Sequence, residues 1–251
     1  MLAEFQLYRT ALVCPGQGID TFNTIKTGTG TFTLESSNSY SGGTTVNGGT
    51  LLANNGNPTF GSATGTGAVA VNSGGTLGGN GAIAGSVTVN SGGTLMPGNL
   101  GIGQLTLGSN LTMESGSTLV FQLGGLTAGT DYSQIIFDQS VSLGGTLSVT
   151  EVGGFQLTAG EKFYILVQNG VNPSTDSISG LFVNVGTNNI YTDSEGNEFL
   201  VNYDDTSLNG DPYANAVSLT DIAVPEPRTL WFFLLGNLAF VSCGLLRRIR
   251  T

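Results

Sequence analysis

The sequence predicts an all-β protein whose main body is a parallel β-helix, that is, a β-solenoid of stacked coils. The first observation is a short phrase ending in Gly-Gly-Thr-Leu or Gly-Ser-Thr-Leu that returns through residues 47–147. Repeats of roughly 20–25 residues are typical of stacked arrays, in which one coil cannot bury its apolar face alone. The copies of the phrase begin at Asn47, Ser73, Ser91, Ser115 and Leu143.

The second observation is the pattern of residues around each phrase. Residues 68–72 and 86–90 alternate branched apolar residues with small or polar ones, and alternation at period two predicts a strand with one buried face. The paired glycines permit the positive φ angles that a sharp corner needs. Strand, corner, strand and loop make one coil, and about four or five such coils are predicted for residues 28–123.

The third observation is the distribution of charge. No charged residue occurs between Ser36 and Met113, although about a quarter of the residues in a globular domain are charged. Stacked coils align like residues, so stacked charges would repel one another whereas Asn and Thr ladders can hydrogen-bond. The charge-free segment is therefore what a solenoid requires.

The first copy of the repeat also resembles a known family. Residues 29–34, Thr-Gly-Thr-Phe-Thr-Leu, followed by residues 37–54, which include Gly-Gly-Thr-Thr-Val-Asn-Gly-Gly-Thr-Leu, resemble the autotransporter-associated β-strand repeat. The resemblance is close over this stretch and weaker over the next hundred residues. It implies a right-handed parallel β-helix on an exported bacterial protein of the passenger type. It implies little about chemistry.

The chain divides into four segments. Residues 1–27 are expected to be unstructured or a truncated N-terminus, because they lack the basic n-region and long apolar run of a signal peptide. Residues 28–150 are predicted to form the β-helix. Residues 151–222 carry larger apolar residues, most of the acids and separate turn signals, which predict a β-rich cap over its open end. Residues 223–251 form a C-terminal tail.

The tail combines a proline-rich break, an apolar run and an arginine cluster. The apolar run at 230–246 would measure about 26 Å as a helix, at the short limit for crossing a bilayer core of about 30 Å. Basic residues that follow such a span stay in the cytoplasm, so the bulk of the protein is expected outside. The break is Val224, Pro225, Glu226 and Pro227, and the cluster is Arg247, Arg248 and Arg250.

This order of features resembles the PEP-CTERM sorting signal. The resemblance implies handling by an exosortase-type processing enzyme in the membrane, with residues 224–227 as the recognition element. The three arginines after the run would then be the cytoplasmic retention signal. A plain C-terminal membrane anchor is the alternative for the same residues. In either case the predicted transmembrane helix connects the protein to the membrane before any processing.

Composition excludes several classes of function. Seventeen acidic residues against seven basic ones give a net charge of −10, which argues against nucleic-acid binding. The sequence has no histidine, and histidine is the commonest general base and a frequent metal ligand. Cys14 and Cys243 lie near opposite ends and form neither a disulfide framework nor a zinc motif. We therefore expect no cofactor and no metal.

Two groups of acids are candidates for metal binding or catalysis. Residues 193–198 place three acids around a glycine, with Asp204, Asp205 and Asp211 close behind, and calcium binds such oxygen clusters. The EF-hand spacing is absent, so a hairpin turn with solvated acids is the preferred interpretation. Asp131 and Asp138 are the nearest candidates for a polysaccharide-cleaving pair. They lie outside the central coils, and isolated surface acids are the preferred interpretation, so no enzyme activity is expected.

The sequence thus predicts a non-enzymatic exported repeat protein, sorted to the cell surface or extracellular matrix, with a structural or adhesive role. Weak multivalent contact with surface glycans or with copies of itself would suit a stiff polar surface with little charge. The alternatives are a carbohydrate-active β-helix enzyme and a plainly membrane-anchored adhesin of the passenger type.

Overall fold

A computed structural model describes residues 5–9, 22–56, 61–169, 177–206 and 215–222, with only the backbone described for residues 5–9. All regular secondary structure in these residues is β, as predicted: twenty-one strands in three sheets, without a helix. The C-terminal helix predicted at 230–246 lies outside the described residues.

Each sheet collects strands from successive stretches of the chain. The first sheet contains β1 (Phe5–Arg9), β2 (Phe22–Lys26), β4 (Thr44–Val46), β6 (Val69–Val71), β9 (Val87–Val89), β12 (Leu111–Met113), β15 (Val141–Leu143) and β18 (Ile178–Gly180). The second sheet contains β3 (Thr31–Leu34), β5 (Gly49–Ala53), β7 (Gly75–Gly79), β10 (Thr94–Pro97), β13 (Thr118–Leu123) and β16 (Thr146–Glu151). The third sheet contains β8 (Ala82–Ile83), β11 (Gln104–Leu107), β14 (Gln134–Phe137), β17 (Lys162–Gln168), β19 (Ile190–Thr192), β20 (Glu198–Asn202) and β21 (Ala216–Ile222).

From β6 to β18 the chain visits the three sheets in turn, and strands in equivalent positions of neighbouring coils pair in parallel. This is the arrangement of a β-solenoid, because a coil that returns in register places every strand beside its predecessor. Parallel pairing begins with β2 against β4 and ends with β15 against β18. β2 precedes the predicted range 28–150 and β18 follows it.

The leucine of the repeated phrase builds the core. In the second sheet these leucines are mutual register partners from coil to coil, and all are at most 2% exposed. Alternate residues of a strand point to the same face, so leucines that are paired in register form one column inside the stack. The column consists of Leu51, Leu77, Leu95, Leu119 and Leu147.

The glycines of the phrase form the corners between the first and second sheets. Gly74, Gly92 and Gly116 occupy equivalent positions with φ angles of 79°, 76° and 81°, a region that residues with a Cβ rarely enter. The corners also stack, since the amide of Gly74 donates to the carbonyl of Gly92, and that of Gly92 to Gly116.

The first coil is distinguished by a buried lysine. Lys26 is the register partner of Val46 and is 0% exposed. Its Nζ donates to the carbonyls of Thr27, Gly28 and Gly48 at 2.8, 3.0 and 2.9 Å. Burial lowers the pKa of this ammonium group because the charged form loses solvation. On the outer side β1 pairs with β2 in the antiparallel sense.

The far end of the stack is closed by antiparallel strands. β21 pairs antiparallel with both β17 and β20, and β19 pairs antiparallel with β20, which extends the third sheet past the last coil. Phe199 and Val201 of β20 are buried in the same core as the coils. We call β19, β20, β21 and their connections the cap.

Candidate functional site

A column of partly exposed threonines runs along the outer face of the second sheet. Each threonine is the register partner of the next, so the side chains follow one another at the strand spacing of about 4.8 Å. At the end of the column, the hydroxyls of Thr118 and Thr146 are 3.2 Å apart. The threonine column consists of Thr31, Thr50, Thr76, Thr94, Thr118 and Thr146.

A second column of small residues runs along the outer face of the first sheet. Each member is the middle residue of the paired part of its strand, and in β4, β6, β9, β12 and β15 it lies between two buried neighbours. Because none of them is long or charged, this face is smooth and weakly polar. The small-residue column consists of Thr45, Ala70, Thr88, Thr112, Ser142 and Ser179.

Side-chain amides form ladders beside these columns. Asn72 Nδ2 donates to Asn47 Oδ1 and Asn90 Nδ2 donates to Asn72 Oδ1, each at 2.7 Å. On the third sheet, Gln104 Nε2 donates to Gln134 Oε1 at 2.8 Å. The ladders link neighbouring coils through neutral groups, as the charge-free sequence predicts.

Taken together, the columns and ladders offer hydroxyl and amide groups at a regular spacing. Between Ser36 and Met113 these groups carry no charge. Such a surface can exchange hydrogen bonds with a neutral polar partner, and it offers no charged group for an ion pair. It also offers neither a carboxylate nor a histidine for acid–base chemistry in this part of the chain.

The acids at 193–198 form a tight turn between β19 and β20. Asp193 Oδ1 accepts hydrogen bonds from the amides of Glu195, Gly196 and Asn197 at 2.8–2.9 Å, and its Oδ2 accepts from Asn197 Nδ2 at 2.8 Å. Through these bonds the Asp193 side chain stabilises the turn, which accounts for an acid at this position. In the described part of the chain, no group of three or more acids, histidines or cysteines is placed to hold a metal ion.

The second acidic cluster predicted from the sequence is separated by the fold. Asp205 is 2% exposed and forms an ion pair with Lys162 at 3.0 Å. Ser218 Oγ donates to the same Asp205 oxygen at 2.5 Å. This carboxylate therefore holds the end of β20 against β17 and β21. Asp204 is exposed, and Asp211 lies outside the described residues.

Asp131 lies three residues before β14, and Asp138 directly follows the strand. Asp131 Oδ2 accepts from the amide of Thr127 at 3.3 Å, whereas Asp138 Oδ1 accepts from Asn169 Nδ2 at 2.9 Å. Because the four-residue strand between them spans about 13 Å, they do not face each other as the paired carboxylates of a glycosidase do.

One acid that the sequence did not single out has the most unusual surroundings. Glu151 ends β16, and both of its carboxylate oxygens are buried without a hydrogen-bond partner. Burial, followed by the nearby Asp193 and Glu195, raises the pKa of Glu151 to about 7. The pKa of Asp221 on β21 is also raised, by burial and then by Glu161 and Asp193. Contacts between distant segments create this site, so no local motif could have predicted it.

The predicted sorting residues Val224, Pro225, Glu226 and Pro227 lie outside the described residues, as do Arg247, Arg248 and Arg250. Within the described ranges, no helix is long and apolar enough to cross a membrane.

Comparison with known proteins identifies one repeat. Residues 25–53 match the family model described as passenger-associated-transport-repeat, an autotransporter-associated repeat. The match covers β3, β4 and β5 and the first corner between the first and second sheets. It supports the resemblance found at 29–54 and suggests an exported or surface protein. No curated protein matches the chain significantly.

Proposed function

We propose that this chain is a non-enzymatic, exported repeat protein whose solenoid acts as a structural or adhesive element at the cell surface or in the extracellular matrix. The observation that carries the proposal is the set of in-register hydroxyl and amide groups on a stack that has no charge between Ser36 and Met113, joined to an autotransporter-associated repeat at 25–53. The coils wind as a right-handed parallel β-helix, the hand that the repeat family implies.

The proposed contact is weak at each coil and strong in sum. A neutral polymer laid along the stack would meet an equivalent hydroxyl in each coil, and such repeated contacts raise avidity without a deep pocket. Neutral surface glycans have hydroxyl groups that can serve as both donors and acceptors, which suits threonine and asparagine side chains. A second copy of the chain presents the same groups and is the other candidate partner.

A charge placed in the threonine column tests the contact. We expect Thr94→Lys to weaken binding of the full chain to insoluble neutral polysaccharide several-fold, because an ammonium group must lose water to enter a neutral interface. Gln139→Lys is the matched control, since Gln139 is exposed in the loop after β14 and receives the same charge. Pull-down measures glycan binding and sedimentation measures self-association. Equal results for both variants in both assays would contradict the proposed surface.

Delivery is proposed to depend on the PEP-CTERM-like tail. An exosortase-type enzyme would recognise residues 224–227, the helix at 230–246 would hold the protein in the membrane before processing, and the three arginines would remain in the cytoplasm. Mass spectrometry of the protein from its native envelope tests this. Loss of everything after the Pro-Glu-Pro region is expected, whereas a full-length product that retains its arginines would identify a plain anchor.

A further inference from the structure

The junction between the last coil and the cap contains a carboxyl group with no partner. Glu151 is the final residue of β16, the outermost strand of the second sheet. Both oxygens are inaccessible to solvent and receive no hydrogen bond. An ionised carboxylate in such a position is strongly disfavoured, because it has lost water and gained neither a donor nor a cation.

The groups that face Glu151 are acidic or phenolic. Asp193 and Glu195 act on it from the turn between β19 and β20, and Tyr191 of β19 lies within its electrostatic influence. Asp221 of β21 and Glu161, next to β17, complete the cluster around Asp193. The basic residues with described side chains are Lys26, in the first coil, and Lys162, which is paired with Asp205. Neither is among the groups that shift the pKa of Glu151.

Among the charged side chains that act on Glu151, Asp193 has the largest effect, and this effect includes a side-chain hydrogen bond. Two ionised carboxylates are both acceptors and cannot bond to each other. Asp193 Oδ1 already accepts three amide hydrogens, and Oδ2 accepts one from Asn197. Oδ2 accepts a single hydrogen bond and is therefore the Asp193 oxygen with room for a further hydrogen. A proton on Glu151 would supply it.

We propose that Glu151 and Asp193 form a proton-operated latch: a protonated Glu151 donates a hydrogen bond to Asp193 and holds the cap on the last coil, and loss of that proton releases it. The ionised pair has no shared hydrogen and places two buried negative charges side by side. Release of the turn would also loosen a second contact between the cap and the last coil. The hydroxyl of Tyr191, in the same hairpin, accepts a hydrogen bond from the amide of Val149 in β16 at 3.0 Å. The latch does not depend on the proposed function.

The sign of the pH dependence follows from the direction of the shift. The pKa of Glu151 is raised from 4.5 to about 7, so the folded cap binds this proton more tightly than the open one. The stabilisation is fully present below pH 4.5 and is lost as the pH rises through about 7. The cap should therefore be firmest in mildly acidic medium and loosest above neutrality.

Hydrogen exchange of the full chain tests the latch at the cap itself. We expect the protection factors of amides at 190–202 to fall roughly tenfold between about pH 5.5 and about pH 8, after correction for intrinsic exchange. Amides at 69–97, in coils that do not contact β16, are the internal reference and should keep their protection. In Glu151→Gln, whose amide can donate to Asp193 at every pH, the fall should be absent. Glu195→Gln is the matched control, because Glu195 is exposed in the same turn and loses the same charge, and it should retain most of the fall.

A second measurement keeps the proposal falsifiable if Glu151→Gln does not fold. Carbon-13 NMR of the wild-type Glu151 carboxyl should show a titration midpoint near 7, and a midpoint near the ordinary 4.5 would overturn the latch. A fall in protection that persists in Glu151→Gln would also overturn it. Addition of calcium provides a further check: calcium that restores protection at about pH 8 in the wild type alone would identify a cation site instead.

Discussion

The central coils and the cap solve the same problem, the shelter of an apolar core, with different chemistry. In the first and second sheets of the central coils, each strand lies between equivalent strands of the two neighbouring coils, and polar links join like residues, as in the Asn47, Asn72 and Asn90 ladder. At the cap end, the described residues supply no further coil to pair with β16. Side chains supply hydrogen bonds instead: Asn184, between β18 and the cap, accepts a hydrogen bond from the Leu147 amide and donates one to the Leu147 carbonyl, at 2.9 and 2.8 Å.

The cap also uses interactions that are absent from the charge-free coils between Ser36 and Met113. The Lys162–Asp205 ion pair and the Glu151–Asp193 pair join the cap to the last coil, and within the cap the rings of Tyr191 and Phe199 are in contact, with centroids 6.2 Å apart. The comparison shows that repeated contacts suffice to extend a solenoid, whereas the end of the stack is closed by contacts that do not repeat from coil to coil.

The largest expected effect lies in the core that both regions share. Leu95 belongs to the leucine column and is 0% exposed, so Leu95→Ala should lower the free energy of unfolding by about 2–5 kcal/mol. Denaturant unfolding monitored by circular dichroism measures the change. Thr94→Ala, on the outer face of the same strand, is the control and should stay within about 0.5 kcal/mol. Equal losses would show that β10 is not packed as described.

A hydroxyl deletion in the cap should have an intermediate effect. Tyr191→Phe removes the acceptor of the Val149 amide, a buried contact, and should lower stability by about 1–3 kcal/mol. Exchange of the β16 amides should rise while that of the central coils does not.

The matched control for that deletion is Tyr40→Phe in the coils. The hydroxyl of Tyr40 bonds to the Thr44 hydroxyl at 2.8 Å, and Thr44 can rotate its hydroxyl toward another partner. We expect a loss below about 1 kcal/mol. A loss as large as that of Tyr191→Phe would contradict the contrast between coil and cap.

The smallest expected effect concerns the amide ladder. Asn72→Ala removes both of the ladder bonds made by Asn72, yet this position is solvent-accessible, so water can replace the lost partners. Stability should fall by about 0.5–1 kcal/mol, as measured by thermal unfolding. Asn54→Ala is a useful comparison, because its Oδ1 accepts the Asn80 amide once, at 2.9 Å. If Asn54→Ala lowered stability more than Asn72→Ala, the ladder would contribute no stability beyond that of its individual hydrogen bonds.

The sequence predicted the coils well because their contacts are local in the repeat. Alternation around Val87 and Val89 and the phrase at Ser91 fixed which residues face the core, and both valines are buried as predicted. The resemblance at 29–54 agrees with the family match at 25–53. The interpretation of residues 193–198 as a hairpin turn agrees with the turn between β19 and β20, although Asp193 is not solvated: it is 9% exposed. The roles predicted for the tail stay predictions.

By itself, the sequence determined the β class, the core-facing residues of the coils and the neutral character of their surface, since each depends only on residue type and spacing. The tertiary structure alone decided that Lys26 fills a core position among three carbonyls, that Asp205 pairs with Lys162, and that Glu151 meets Asp193. The physical reason is that non-repeating segments close the ends of the stack. Where a non-repeating segment returns to the stack depends on the shape of the whole cap, and the charge state of a buried group depends on the neighbours that this return brings to it.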